Sequence, residues 1–129
     1  MRLLIAGSRD ASDHMLGYAA RIVQRAKELD WTIVVGDAPS VDTVVINACD
    51  QMGVPVEVHG AYGRMRNGTQ TGTNTAHEGP YRDRDRIMVE LCDACLAVWN
   101  GYSPGTRKTF EYAKRLGKRV WVKHFEAAK

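Results

Sequence analysis

Apolar residues along this chain follow two alternating rhythms. Short, nearly continuous apolar runs at Arg2–Ala6, Thr32–Val35, Val54–Val58, Cys95–Trp99 and Arg119–Val122 read as buried strands. Between them the spacing changes to that of helices. Asp13–Leu29 sets Met15, Ala19, Ile22, Val23, Ala26 and Leu29 on one face. Val41–Met52, Tyr81–Cys92 and Thr106–Leu116 complete the helical set. Ser12 or Asp13 stands ready to cap the first helix and Ser40 the second, while Gly53 and Gly117 mark helix ends. Three junctions, at Leu29-Asp30-Trp31, Met52-Gly53-Val54 and Leu116-Gly117-Lys118, repeat one grammar: helix end, breaker, β-rich run. Apolar strands alternating with helices imply a parallel sheet covered on both faces. The expectation is an α/β three-layer sandwich with a five-stranded parallel sheet, in a single domain over 1–129.

One segment breaks the rhythm. His59–Pro80 is rich in glycine, threonine and asparagine and has little periodicity. At this length it reads either as a lid over the sheet edge or as a disordered insertion.

Composition narrows the class. A chain of 129 residues with 44% hydrophobic and 26% charged content is long enough for one packed core. The net charge of +3 is too mild to imply nucleic acid. No apolar run reaches the roughly 20 residues of a membrane span, and MRLLIAGSRD turns polar too soon for a signal peptide. Three cysteines, an odd number, fit a reducing, cytoplasmic setting. Cys92 and Cys95 form a lone CxxC between a helix end and a strand start, where a structural pair is expected rather than a redox or zinc site. His14, His59, His77 and His124 lack ligand spacing, so neither a metal nor another cofactor is expected.

The candidate chemistry lies in loops that follow strands. Gly7-Ser8-Arg9 follows the first, Gly36-Asp37-Ala38 with Asp42 follows the second, and Gly101-Tyr102-Ser103-Pro104-Gly105-Thr106 follows the fourth. Right-handed crossovers bring such loops to one sheet edge, where free N–H groups at helix starts suit phosphate. Gly7, Gly36, Gly101 and Gly105 allow close backbone approach; Ser8, Arg9, Ser103 and Thr106 supply hydroxyls and a guanidinium. The pattern is neither GxGxxG nor a P-loop, which argues against a dinucleotide fingerprint or an NTPase. In Tyr81–Met88, alternating Arg and Asp can be a solvated helix end, but Arg84 lies one turn from the apolar Met88, which would hold it near the sheet edge. Tyr81 reads as a packing residue or a base-stacking one. Trp31, Trp99 and Trp121 read most simply as core or sheet-edge residues, and of these Trp99 alone is placed where it could meet a base.

Taken in order, Gly7-Ser8-Arg9, Gly36-Asp37-Ala38 with Asp42, Arg84 with Met88, and Gly101–Thr106 resemble the motif series of the SLOG superfamily. That group of Rossmann-like domains includes a YspA-like branch and is related to the LOG phosphoribohydrolases and to DprA. The resemblance spans the chain apart from His59–Pro80. It implies a domain that binds a nucleotide or nucleotide-derived small molecule, as a sensor or regulatory module, and a homo-oligomer. Ligand-binding positions carried over are Gly7, Ser8, Arg9, Gly36, Asp37, Arg84, Gly101, Ser103, Gly105 and Thr106, with Arg84 the candidate catalytic residue. The alternative is an N-glycosidic hydrolase or transferase, like the LOG enzymes or the nucleoside deoxyribosyltransferases. Those enzymes use a glutamate where this chain has Thr109, and the LOG lysine position is Asp85. Threonine cannot supply the charge that an oxocarbenium-like state needs, so Asp37 or Glu78 would have to replace it. A DprA-like strand binder would require a basic, aromatic groove.

Overall fold

Alternate residues of the first strand, β1 (Arg2–Gly7), face opposite sides of a sheet. Leu3 and Ile5 enter one core with Ile33, Val35, Val58 and Val98; Leu4 enters another with Val34, Cys95 and Ala97. A computed structural model describes residues 1–126; the last three positions of the expected 1–129 domain lie outside them. After β1 come α1 (Asp13–Glu28), β2 (Thr32–Gly36), α2 (Val41–Met52), β3 (Val56–Gly60), β4 (Thr73–Ala76), α3 (Tyr81–Leu91), β5 (Ala94–Trp99), α4 (Pro104–Arg115) and β6 (Arg119–His124). Helices α1 and α2 cover the first core, α3 and α4 the second. Full burial of Leu4, Ile5, Ile33 and Val34 favours the folded state by about 1.5–3 kcal/mol each.

The sheet has six parallel strands in the order β4-β3-β2-β1-β5-β6, one more than the five expected. The extra strand, β4, lies inside His59–Pro80. All four of its residues are exposed, and it pairs with β3 through backbone register, Glu57 opposite Thr73 and Gly60 opposite Ala76. The segment is therefore neither a lid nor an unstructured insertion. Asp50 on α2 anchors it by accepting hydrogen bonds from the Thr69 hydroxyl, from the Thr71 hydroxyl at 2.7 Å and from the Gln70 N–H at 3.0 Å.

One helix start lacks its expected cap, and another helix begins early. Ser12 Oγ accepts from the Met15 N–H at 3.3 Å, as a cap should. Ser40 precedes α2 with φ 78° and makes no cap bond; its Oγ accepts from the Ala11 N–H instead, joining two loops at 3.1 Å. Helix α4 begins two residues earlier than the apolar pattern suggests, because Pro104 suits the first helical turn and Ser103 can cap it. Cys49, Cys92 and Cys95 are buried free thiols, and burial pushes Cys49 and Cys95 up to about 12. Among the described residues no helix is long and apolar enough to cross a membrane.

Strand order reverses beside β1, since β2, β3 and β4 extend to one side and β5 and β6 to the other. The loops leaving β1 and β5 therefore separate at their C-terminal ends and open a crevice, the usual ligand position in such sheets.

Candidate functional site

A cavity of about 310 Å³ occupies that crevice. Gly7 and Arg9 border it from the β1 loop, Gly36 from the end of β2, Arg84 and Asp85 from α3, and Ser103–Thr106 from α4. None of the residues of 59–80 lines it.

The floor is an ion-pair network that begins with Asp37, placed at the end of β2 with 1% exposure. Its Oδ1 accepts from Arg84 Nη1 at 3.0 Å and from Arg66 Nη2 at 2.9 Å, while Oδ2 accepts from the Arg66 N–H at 2.8 Å. Burial alone would raise the Asp37 carboxyl. The Arg66 hydrogen bonds and the charges of Arg66 and Arg84 outweigh it and hold the group below its ordinary value. Arg84 is buried too; it also donates from Nη1 to the His59 carbonyl at 2.9 Å and from Nε to Asp85 Oδ1 at 2.8 Å. Gly36 makes this approach possible: a Cβ there would stand 2.7 Å from Arg84 Nη1 and 2.9 Å from Asp42 Oδ2.

Asp42 and Asp85 are the carboxylates of the cavity wall. Asp42 Oδ2 accepts from the Ala38 N–H at 3.0 Å, which fixes the loop before α2. Burial pushes its carboxyl up to about 7; the Ala38 hydrogen bond and the Arg84 charge offset part of this, and the charges of Asp85 and Asp37 add to it. Asp85 is likewise raised by burial, against the pull of Arg84. Charge balance makes this intelligible. Arg66 and Arg84 match Asp37 and Asp85, so an ionised Asp42 would be the surplus anion.

The opposite wall is the start of α4. Ser103 Oγ lies 3.5 Å from the Thr106 N–H and 3.1 Å from Thr106 Oγ1. Gly105 has no acceptor for its N–H among the described residues, so that donor faces an anion-favouring helix start. Arg9 adds an exposed guanidinium, 5.9 Å from the Tyr81 ring centre. The cavity thus offers N–H donors and positive charge on one side and hydrogen-bond acceptors on the other.

Of the residues singled out in the sequence, Gly7, Arg9, Gly36, Arg84, Ser103, Gly105 and Thr106 border the cavity. Three do not. Ser8 is buried, and its Oγ accepts from the Asn100 N–H at 3.3 Å. Asp37 lies beneath the floor in its ion pairs. Gly101, at φ 86°, packs against the His124 ring, where a Cβ would come within 2.6 Å of Nε2. Glu78 is exposed and stands beside Gly63, away from the cavity. Trp99 donates from Nε1 to the Ser103 carbonyl at 3.0 Å and packs edge-on against Phe110, so it braces the loop from behind. Thr109 is buried on the cavity wall with Oγ1 donating to the Gly105 carbonyl at 3.0 Å.

Sequence reasoning missed Arg66, whose partner Asp37 is 29 residues away, and the full role of Tyr81. The Tyr81 ring underlies the guanidinium groups of Arg66 at 4.3 Å and Arg84 at 5.1 Å. It also missed a histidine pair at the ends of β3 and β4. His59 Nδ1 and His77 Nε2 are 2.8 Å apart with the rings stacked, and burial with the nearby His77 charge lowers His59. Parallel pairing of an unforeseen strand brings them together, so no sequence signal marks them. Among the described residues no group of three His, Cys, Asp or Glu side chains is arranged to hold a metal ion.

No family model matches the chain, and no curated protein sequence does. Solved structures do match. The molybdenum cofactor binding protein of the phototrophic bacterium Rippkaea orientalis superposes with a TM-score of 0.86 at 15% identity, over 97% of this chain and 77% of that one. The molybdenum cofactor carrier protein of Chlamydomonas reinhardtii gives 0.77 at 18% identity, over 94% and 74%. DNA processing protein A (DprA) of Streptococcus pneumoniae gives 0.78 at 21% identity, over 94% of this chain but 49% of that one. At these identities the likeness is one of fold, and it shows that this chain shares the Rossmann-like α/β fold of those proteins.

Proposed function

We propose that this protein binds a nucleotide or nucleotide-derived small molecule at the C-terminal edge of its sheet, as a sensor or regulatory module. The observation that carries this reading is the two-sided cavity at the strand-order reversal. The unpaired Gly105 N–H, the α4 start and Arg9 suit a phosphate; Asp42 and Asp85 suit the hydroxyls of a sugar or the N–H edge of a base. The non-catalytic form of the reading rests on Thr109, a neutral side chain tied to the Gly105 carbonyl where the resembling enzymes carry glutamate. The likeness to molybdenum cofactor proteins adds that cofactor as a second candidate ligand.

One observation favours a catalytic alternative. Asp42 lines the cavity with its carboxyl near 7, a value suited to general acid–base work in N-glycosidic cleavage. Titration calorimetry with AMP, GMP, NAD, ADP-ribose and molybdenum cofactor, with chromatography for released base, separates the cases. Binding of an intact nucleotide, weakened by Arg9→Ala, supports the module. Base release abolished by Asp42→Asn establishes the enzyme. Binding of the molybdenum cofactor alone assigns the second candidate, and no binding by any of them overturns the reading.

A further inference from the structure

We infer that the ligand of this site carries a second anionic group, of the phosphate class, which rests in the groove between α3 and α4. The inference deepens the nucleotide reading above and rests on it. A groove of about 420 Å³ runs between the two helices, and Tyr81, Asp85, Gly105 and Thr109 border both it and the strand-edge cavity. The two spaces adjoin along these residues. At their junction Thr109 presents a short, neutral side chain whose hydroxyl is turned back to the Gly105 carbonyl, and the carboxylate there, Asp85, is paired with Arg84.

Beyond the junction the walls are basic. Arg82 and Arg86 stand one turn apart on α3, and Lys108 and Arg115 face them from α4. Exposed cations on helices usually pair with carboxylates nearby, as Arg107 does at 3.7 Å with Glu111, which also borders a shallow surface with Lys108 and Arg115. The groove lacks such partners. Among the described residues Arg86, Lys108 and Arg115 make no salt bridge, and Arg82 reaches only Asp83, at 4.0 Å. Asp85, the carboxylate on the shared wall, already accepts from Arg84 Nε. Tyr112 then orders the donors: the guanidinium groups of Arg86 and Arg115 each lie 5.5 Å from its ring centre, held by the π-face with their N–H groups free for an anion. A second copy paired about a two-fold axis through the groove would bring the same cations against one another.

The test compares AMP with two longer probes, ADP and diadenosine diphosphate, by titration calorimetry at low and high salt. Wild-type protein is compared with the double variant Arg86→Ala/Lys108→Ala, neither of whose positions borders the strand-edge cavity. Urea unfolding verifies that the variant is folded. The expected result is a longer probe bound about tenfold more tightly than AMP, a gain that high salt and the double variant both remove while AMP affinity stays unchanged. If AMP binds and neither longer probe gains, or the gain survives in the double variant, the second subsite is overturned while the nucleotide reading stands. If none of the three probes binds, the second subsite is overturned, and the nucleotide reading falls with it when GMP, NAD and ADP-ribose also fail to bind.

Discussion

Replacing Asp42 by asparagine should change how stability depends on pH. Asparagine keeps an acceptor for the Ala38 N–H, now 3.0 Å from Asp42 Oδ2, but cannot ionise. In the folded protein burial pushes the Asp42 carboxyl from 3.8 up to about 7, so the folded state holds a proton that the unfolded chain releases. The stabilisation is complete below the unfolded value of 3.8 and is lost progressively as pH rises through about 7. The interval corresponds to about 4 kcal/mol in all. Roughly 3 kcal/mol of that falls between about pH 5 and about pH 8. His59, lowered by burial, acts with the opposite sign over part of this range, but it is common to both proteins and cancels in the comparison. Urea unfolding at a series of pH values measures the effect. The wild type should lose stability relative to Asp42→Asn across the interval, with Asp42→Asn the more stable at the alkaline end. Parallel curves for the two proteins would refute the reasoning, because they would mean that Asp42 ionises freely in the folded state.

Other outcomes follow from the same geometry. Arg84→Met leaves Asp85 without its Nε donor and removes one of the guanidinium partners of Asp37, at a cost of about 3–5 kcal/mol in urea unfolding. Arg84→Lys should not restore it, since one ammonium cannot reach Asp37, Asp85 and the His59 carbonyl together; a loss under about 1 kcal/mol in either variant contradicts the network. Asp50→Ala frees the turn before β4, so limited proteolysis should cut between Arg64 and Thr73 faster than in the wild type, with about 1 kcal/mol of stability lost. Unchanged cleavage would show that β3 pairing alone holds the segment. The buried thiols of Cys49 and Cys95, pushed up to about 12, should be alkylated in mildly alkaline buffer only as fast as the protein unfolds, which mass spectrometry can follow against urea. Rapid labelling of the native protein would contradict their burial.

How far the sequence carries this picture depends on where the information is stored. Strand cores such as Leu3–Ile5 and Cys95–Val98, and the apolar stripe of α1, write their burial into residue type, so the alternation and the parallel sheet are legible. Loops that follow strands must share one edge, which gathers Arg9, Gly36, Arg84 and Gly105 without knowledge of any contact. Thr73–Ala76 carries no such mark. It is an exposed edge strand held by backbone pairing and by the Asp50 turn, and neither requires apolar side chains. The Asp37–Arg66 pair was hidden for the same reason, because Arg66 belongs to that segment. Strand β3 begins at Val56 rather than Val54 because Val54 is still closing the turn after α2, its N–H donating to the Cys49 carbonyl at 3.0 Å. The raised carboxyl of Asp42 carries no sequence mark either, since it arises first from burial in the fold, with Asp85 and Asp37 adding to it.

The most direct test of the central claim is a crystal structure of the protein grown with saturating AMP. The account expects a phosphate oxygen within hydrogen-bond distance of the Gly105 N–H at the start of α4, near Arg9, with the sugar or base toward Asp42 and Asp85. An empty cavity at saturation, or AMP bound elsewhere on the surface, would contradict it.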